Sequence, residues 1–222
     1  MSTDTNWLTQ IEHDWILLAR NDQRLNVGRF YRHILTAYKA GFVPLESVAT
    51  TANALLISTI SGAADLGQRL LGQVGVDRHP ALRIVHALAL LDGKGVAPDI
   101  AEAHVVMRDV LCDSELPEQL RGLVFVVLGD SSRLGREGAP DASEALRNYE
   151  RAFRLGIKQV AWNMGLYWEG RWGMARGEDL LPDTAQALMW YRRGVSASEK
   201  CARRVLELTD KALLYETGQP TG

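Results

Sequence analysis

Three groups of residues in this chain have the types and spacing that chemistry uses. Residues 91–99 read LDGKGVAPD, and Gly93-Lys94-Gly95 pairs flexible backbone with a cation, as a phosphate-cradling loop does. That loop requires Ser or Thr after its lysine, an earlier glycine, and a strand before it. Here Lys94 is followed by Gly95 and the earlier glycine is missing, so a plain turn between helices is expected. The second group is titratable. His13, His33, His79, His86 and His104 form no His-x-x-x-His or His-Glu-x-x-His set, so no metal site is expected. Glu12-His13-Asp14 is the densest cluster, but adjacent helical residues point in different directions, which predicts a solvated face. Cys112 and Cys201 are far apart and read as buried small hydrophobes rather than nucleophiles, and no Gly-x-Ser-x-Gly elbow occurs. The expectation is a protein that is not an enzyme and uses no cofactor.

The third group is aromatic. Trp162, Trp168, Trp172 and Trp190 crowd into one stretch, with no tryptophan between Trp15 and Trp162. Trp172 lies in RWGMARG (171–177) beside Arg171, Met174 and Arg176. Exposed Trp, Met and Arg are types enriched in binding hot spots. Trp172 could serve that way or fold back over the repeat edge, and the sequence leaves both open.

Bulk properties narrow the classes. Hydrophobic residues make up 46% and charged residues 23% of the 222, a globular balance. The net charge of −2 gives no expectation of nucleic-acid binding. No apolar run reaches the roughly 18 residues that a membrane span needs. The acidic start MSTDTNWLTQIEHD gives no expectation of a signal peptide. Two cysteines fit a reducing, cytoplasmic setting.

The loop of the first paragraph recurs. GKGVAPDIAEA starts at Gly93, GREGAPDASEA at Gly135 and GEDLLPDTAQA at Gly177, at intervals of 42 residues. Each glycine is placed to end a helix in the left-handed conformation. Each Pro-Asp then starts the next, with Asp99, Asp141 and Asp183 as N-caps and Glu102, Glu144 and Gln186 completing a capping box. After the cap, apolar residues at 145, 149, 152, 153 and 156 trace one helical face. Ala103, Ala145 and Ala187 allow close helix approach, and Met107, Tyr149 and Tyr191 fill the gap one turn later, followed by Leu111, Phe153 and Val195. The preceding segments align through Leu128-Gly129 and Met164-Gly165, 36 residues apart, which puts the extra six residues of the last copy in 171–177. LVFVVL alone could be a strand, but its place in the register predicts a helix. Helices are also predicted over 5–24, 27–40, 43–60, 63–73 and 196–216.

Leu128-Gly129, Gly135, Asp141, Ala145-Leu146, Tyr149, Ala152 and Gly156 together resemble one unit of the Sel-one-like repeat, a short relative of the tetratricopeptide repeat. Asn163-Met164-Gly165, Trp168, Asp183, Ala187-Leu188 and Trp190-Tyr191 resemble another, and Gly93-x-Gly95-Val96-x-x-Asp99 with Ala103 a third, covering about 80–200. The matches depart from the pattern at Glu137, His86-Ala87 and Gly194-Val195. The resemblance implies an all-α fold, an α-α superhelix or solenoid of about five helix-turn-helix repeats plus a C-terminal capping helix, in a single domain over 1–222. Its units are diverged helix pairs at 5–41 and 42–78, clearer repeats at about 79–121, 122–157 and 158–197, and a cap at about 198–216, charged on one face.

What the resemblance implies for function is a non-catalytic, cytoplasmic scaffold or adaptor, most often bacterial, with a protein or peptide partner on the concave face. Self-association is a further option. Within that class stand toxin-neutralising immunity and secretion-accessory roles, and outside it a hydrolase with a site between helices. The hydrolytic members of the family are cysteine-rich, unlike this chain. The first helix of each pair lines the inner surface of a solenoid. This assigns Asp130, Arg133, Trp162, Asn163, Leu166 and Glu169 to partner binding, with Arg171, Trp172 and Arg176 from the inserted loop. Asn163 matches a position that contacts ligand backbone in tetratricopeptide relatives, and Trp168 and Trp190 match core positions.

Overall fold

The punctuation read from the sequence sets the helices of the computed structural model, which describes residues 4–172 and 182–217, with side chains over 9–172 and 182–210. Among the described residues there are α-helices and two short 3-10 turns, and no strand. The chain divides into two compact units, Met1–Leu116 and Pro117–Gly222.

The first unit carries α1 (Asp4–Ala19), α2 (Val27–Lys39), α3 (Leu45–Ile57), α4 (Ala63–Val74), α5 (Pro80–Asp92) and α6 (Ile100–Leu111). α3 packs on α4 and α5 on α6. Phe30, Ile34, Leu55, Leu70 and Leu82 are fully buried at its centre. The Glu12-His13-Asp14 cluster is only partly solvated: Glu12 and His13 are exposed, but Asp14 is fully buried. Asp14 Oδ1 accepts hydrogen bonds from Arg29 Nη2 at 3.0 Å and Gln10 Nε2 at 2.8 Å, tying α1 to α2. The fixed partner on the next helix, invisible in local spacing, draws the carboxylate inward.

LDGKGVAPD is the turn between α5 and α6. Gly93 ends α5 in the left-handed region, and Lys94 donates its N–H to Ala89 O at 3.0 Å. The loop then docks on α4. Gln68 Nε2 donates to Lys94 O at 3.1 Å, and a Cβ on Gly95 would lie 2.5 Å from Ala64 O. Gly95 also has φ of 64°, so a side chain there meets both strain and a backbone oxygen. Gly95→Ala is expected to destabilise the first unit by about 1–3 kcal/mol, seen as a lower urea midpoint at unchanged slope.

The second unit carries α7 (Glu118–Leu134), α8 (Ala142–Arg154), α9 (Ala161–Trp168), α10 (Thr184–Gly194) and α11 (Glu199–Thr217). LVFVVL lies within α7, as its register predicts. α7 packs on α8, α9 on α10, and α10 on α11. Ala103, Ala145 and Ala187 are fully buried, and so are Met107, Tyr149 and Tyr191. Val195 departs from the series and is exposed, because α10 ends at Gly194.

The caps are one-sided rather than reciprocal boxes. Asp99, Asp141 and Asp183 each accept the backbone N–H three residues on, at 2.8–2.9 Å. Their own N–H groups are already taken. They donate to Leu90 O, Ser132 O and Trp168 O at 3.0, 2.9 and 2.8 Å, which stitches each second helix to the end of the first. In the last copy Gly170, at φ 78°, follows the end of α9, and the expected stop Gly177 lies outside the described residues. Arg171 N–H closes that end on Leu166 O at 2.8 Å.

Candidate functional site

Two tyrosine-centred clusters organise the second unit, and both begin with a glycine. The Tyr149 ring lies on Gly129, where a Cβ would come within 2.9 Å, and the Tyr191 ring lies on Gly165, where it would come within 2.2 Å. No larger residue fits under either ring. Each phenol then reaches an acid beyond its glycine.

Tyr149 Oη donates to Asp130 Oδ1 at 2.5 Å and accepts from Arg133 Nε at 3.3 Å. Arg133 also lies 3.6 Å from Asp130. Burial, then the Asp130 carboxylate, push the Tyr149 hydroxyl well above its ordinary value, with Arg133 opposing. Asp130 and Arg133, assigned to partner binding from the sequence, are thus brought together but already engaged in the α7–α8 contact.

Tyr191 Oη donates to Glu169 Oε2 at 2.6 Å. Arg204, from α11, donates through Nε to both Glu169 oxygens at 3.0 and 3.1 Å and through a second nitrogen to Oε1. Its third nitrogen reaches Glu207 at 2.5 Å. The Glu169 side chain is only 8% exposed, so it does not face solvent as the sequence leads one to expect: it joins α9 to α10 and α11. Burial alone would push its carboxyl up, but the Arg204 and Tyr191 hydrogen bonds and the nearby Arg204 and Arg171 charges outweigh it and leave it below the ordinary value. Burial and Glu169 in turn push the Tyr191 hydroxyl up.

The tryptophans resolve differently from one another. Trp190 is buried and Trp168 is half-buried in the core. Trp172 folds back: its Nε1 donates to Asn163 O at 2.7 Å, and its ring meets Tyr167 and Tyr149 edgewise at 5.0 and 5.8 Å. Of the two readings open at Trp172, packing over the repeat edge is the one realised. Leu166 and Asn163 are half-buried. The Asn163 side chain makes no hydrogen bond among the described residues. Arg176 and Met174 lie outside them.

Trp162 leans on Tyr191, ring centroids 5.4 Å apart, and leaves part of its indole open. It forms a wall of a cleft of about 370 Å³ whose other lining residues are Arg171, Lys200, Arg203, Arg204 and Glu207. Of these, Trp162 and Arg171 are among the residues that the sequence assigns to partner binding, and the α11 residues are not. Lys200, Arg203, Arg204 and Glu207 follow i, i+3, i+4, i+7 spacing, the same pattern as the charged face of a terminal cap.

Elsewhere chemistry is sparse. Cys201 is buried, and burial pushes its thiol up, whereas Cys112 is exposed at the end of α6, contrary to expectation. No group of three or more His, Cys, Asp or Glu residues converges on a metal position among the described residues. No helix among them is long and apolar enough to cross a membrane.

The crystal structure of a Sel1 repeat protein from Oxalobacter formigenes matches this arrangement over 94% of this chain and 76% of that chain, with a TM-score of 0.56 and 18% sequence identity. No family model matches the chain, and no curated protein matches it. The likeness is one of fold: the described residues form an all-helical, Sel1-like repeat fold, the fold that the Gly and Pro-Asp punctuation implies through its resemblance.

Proposed function

We propose that the chain is a non-catalytic interaction scaffold that takes a protein or peptide on the surface shared by α9 and α11. The observation that carries this is the cleft beside Trp162. It sets a partly open indole among arginines and a lysine on a rigid frame of buried hydrogen bonds. Aromatic and Arg side chains on pre-ordered supports are what binding hot spots use. The helical-repeat fold supports the same reading, since stacked pairs present extended surfaces rather than enclosed pockets. The exposed, unpaired thiol of Cys112 favours a reducing compartment.

Placing the photo-crosslinker p-benzoylphenylalanine at Leu166 or Arg171 is expected to give discrete covalent protein adducts in the source cells. The same group at Arg147, exposed on α8, is expected to give none. Absence of adducts at both α9-side positions, or equal yield at Arg147, would count against the reading.

A further inference from the structure

We infer that the partner element received by the α9–α11 cleft is an acidic peptide segment, an assignment that rests on the scaffold reading above. Four cations, Arg171, Lys200, Arg203 and Arg204, line the cleft, against Glu207 in the lining and Glu169 behind it. That is a local excess of positive charge on a chain whose net charge is −2. The four are not equivalent. Arg204 is saturated by Glu169 and Glu207 and is only 16% exposed, so it positions the wall and has little to offer a ligand. Arg171 is 55% exposed and only 3.8 Å from Glu169, a loose pairing that a better acceptor can replace. Arg203 is exposed and has no ion pair or hydrogen bond among the described residues. Lys200 is exposed with its Nζ 6.0 Å from the Trp162 ring centroid, so it already stands over the indole.

The geometry selects the ligand class. A lone phosphate wants donors converging on one point, commonly backbone N–H groups. Here the available cations are distributed over one face of α11 and Arg171, and the Trp162 indole shares the same lining. An extended chain with carboxylates at intervals and one apolar side chain on Trp162 satisfies both parts. Gathered like charges repel one another, and a carboxylate ligand relieves that repulsion while steering its own encounter.

The test uses the full chain and a fluorescein-labelled, C-terminally amidated octapeptide with a central leucine and glutamates elsewhere, followed by fluorescence anisotropy. The glutamate peptide is expected to bind, and its glutamine counterpart to bind at least about tenfold more weakly. Lys200→Glu with Arg203→Glu is expected to weaken the glutamate peptide by at least about tenfold. Both side chains are exposed, so the circular-dichroism spectrum should not change. Equal binding of the two peptides, undiminished binding by the charge-reversed variant, or no binding at all overturns the assignment. So does a single-stranded oligothymidylate of similar charge that binds as tightly, since that shows only general attraction of polyanions. If crosslinks form at Leu166 and Arg171 while the peptide fails, the acidic chemistry alone is wrong. If both fail, the scaffold reading falls with it.

Discussion

Tyr191→Ala is expected to lower the stability of the Pro117–Gly222 unit by about 3–5 kcal/mol. The ring is fully buried, rests on Gly165 and carries the Trp162 indole. Its removal leaves a void that helices held together by caps and hydrogen bonds cannot fill. Of a typical domain's 5–15 kcal/mol, this is a large share. Tyr191→Phe keeps the ring and removes only the hydroxyl donated to Glu169, a loss of about 1.5–3 kcal/mol for a hydrogen bond to a charged group. Urea denaturation followed by circular dichroism separates the two. If the Ala and Phe variants lose equal stability, the hydroxyl rather than the packed ring holds the α9–α10 contact.

The second large effect belongs to Glu169. Glu169→Ala removes the carboxylate that Arg204 grips through two of its nitrogens and leaves a mostly buried guanidinium with Glu207 as its remaining partner. Removing one member of a buried pair costs about 3–5 kcal/mol, and the surviving Glu207 contact places this case near about 3. The effect has a pH signature. Glu169 titrates below its ordinary value of 4.5 in the folded chain. Its stabilisation is therefore complete above that ordinary value and is lost as pH falls through the lower, folded value. Glu169→Gln should be destabilising near neutral pH, and its deficit relative to the parent should shrink in acid. A deficit that stays constant from pH 7 to the acid limb would remove the ion pair from the explanation. Because the same carboxylate orients Arg204, these variants also disturb the cleft, so binding defects in them report on the frame rather than on ligand contact.

How much of this was readable in the sequence depends on how local each cause is. The Gly stops at 93 and 135 and the three Asp caps act over a few residues, so these helix ends can be read directly, whereas the end of α1 at Ala19, short of the expected 24, has no such local mark. The burial of Tyr149 and Tyr191 is also legible from their place one turn after Ala145 and Ala187, but the glycines beneath the rings, Gly129 and Gly165, stand 20 and 26 residues before them and give no fixed spacing to read. Glu169 misled because its fate is decided by Arg204, 35 positions away on a helix outside the repeat pattern. Trp172 was undecidable because its anchor is a backbone oxygen, Asn163 O, which no side-chain pattern reports. The cationic stripe of α11 has the sequence pattern of a solvated cap face, and its place beside Trp162 follows only from the packing of α11 on α10. Asp14 belongs to the same class of error, a solvated pattern overruled by Arg29 on the neighbouring helix.

The bond from each capping aspartate to the end of the preceding helix has a consequence for how such a chain can change. Asp99 and Asp141 close it over nine residues, and Asp183 closes it over fifteen with an N···O distance of 2.8 Å. Loop-closure entropy grows so slowly that the longer span adds only about 0.5 kcal/mol. Length between the two anchored ends is thus nearly decoupled from helix register. The turn is an insertion port, where evolution or an engineer can splice in new recognition sequence while the pair that bears it keeps its geometry.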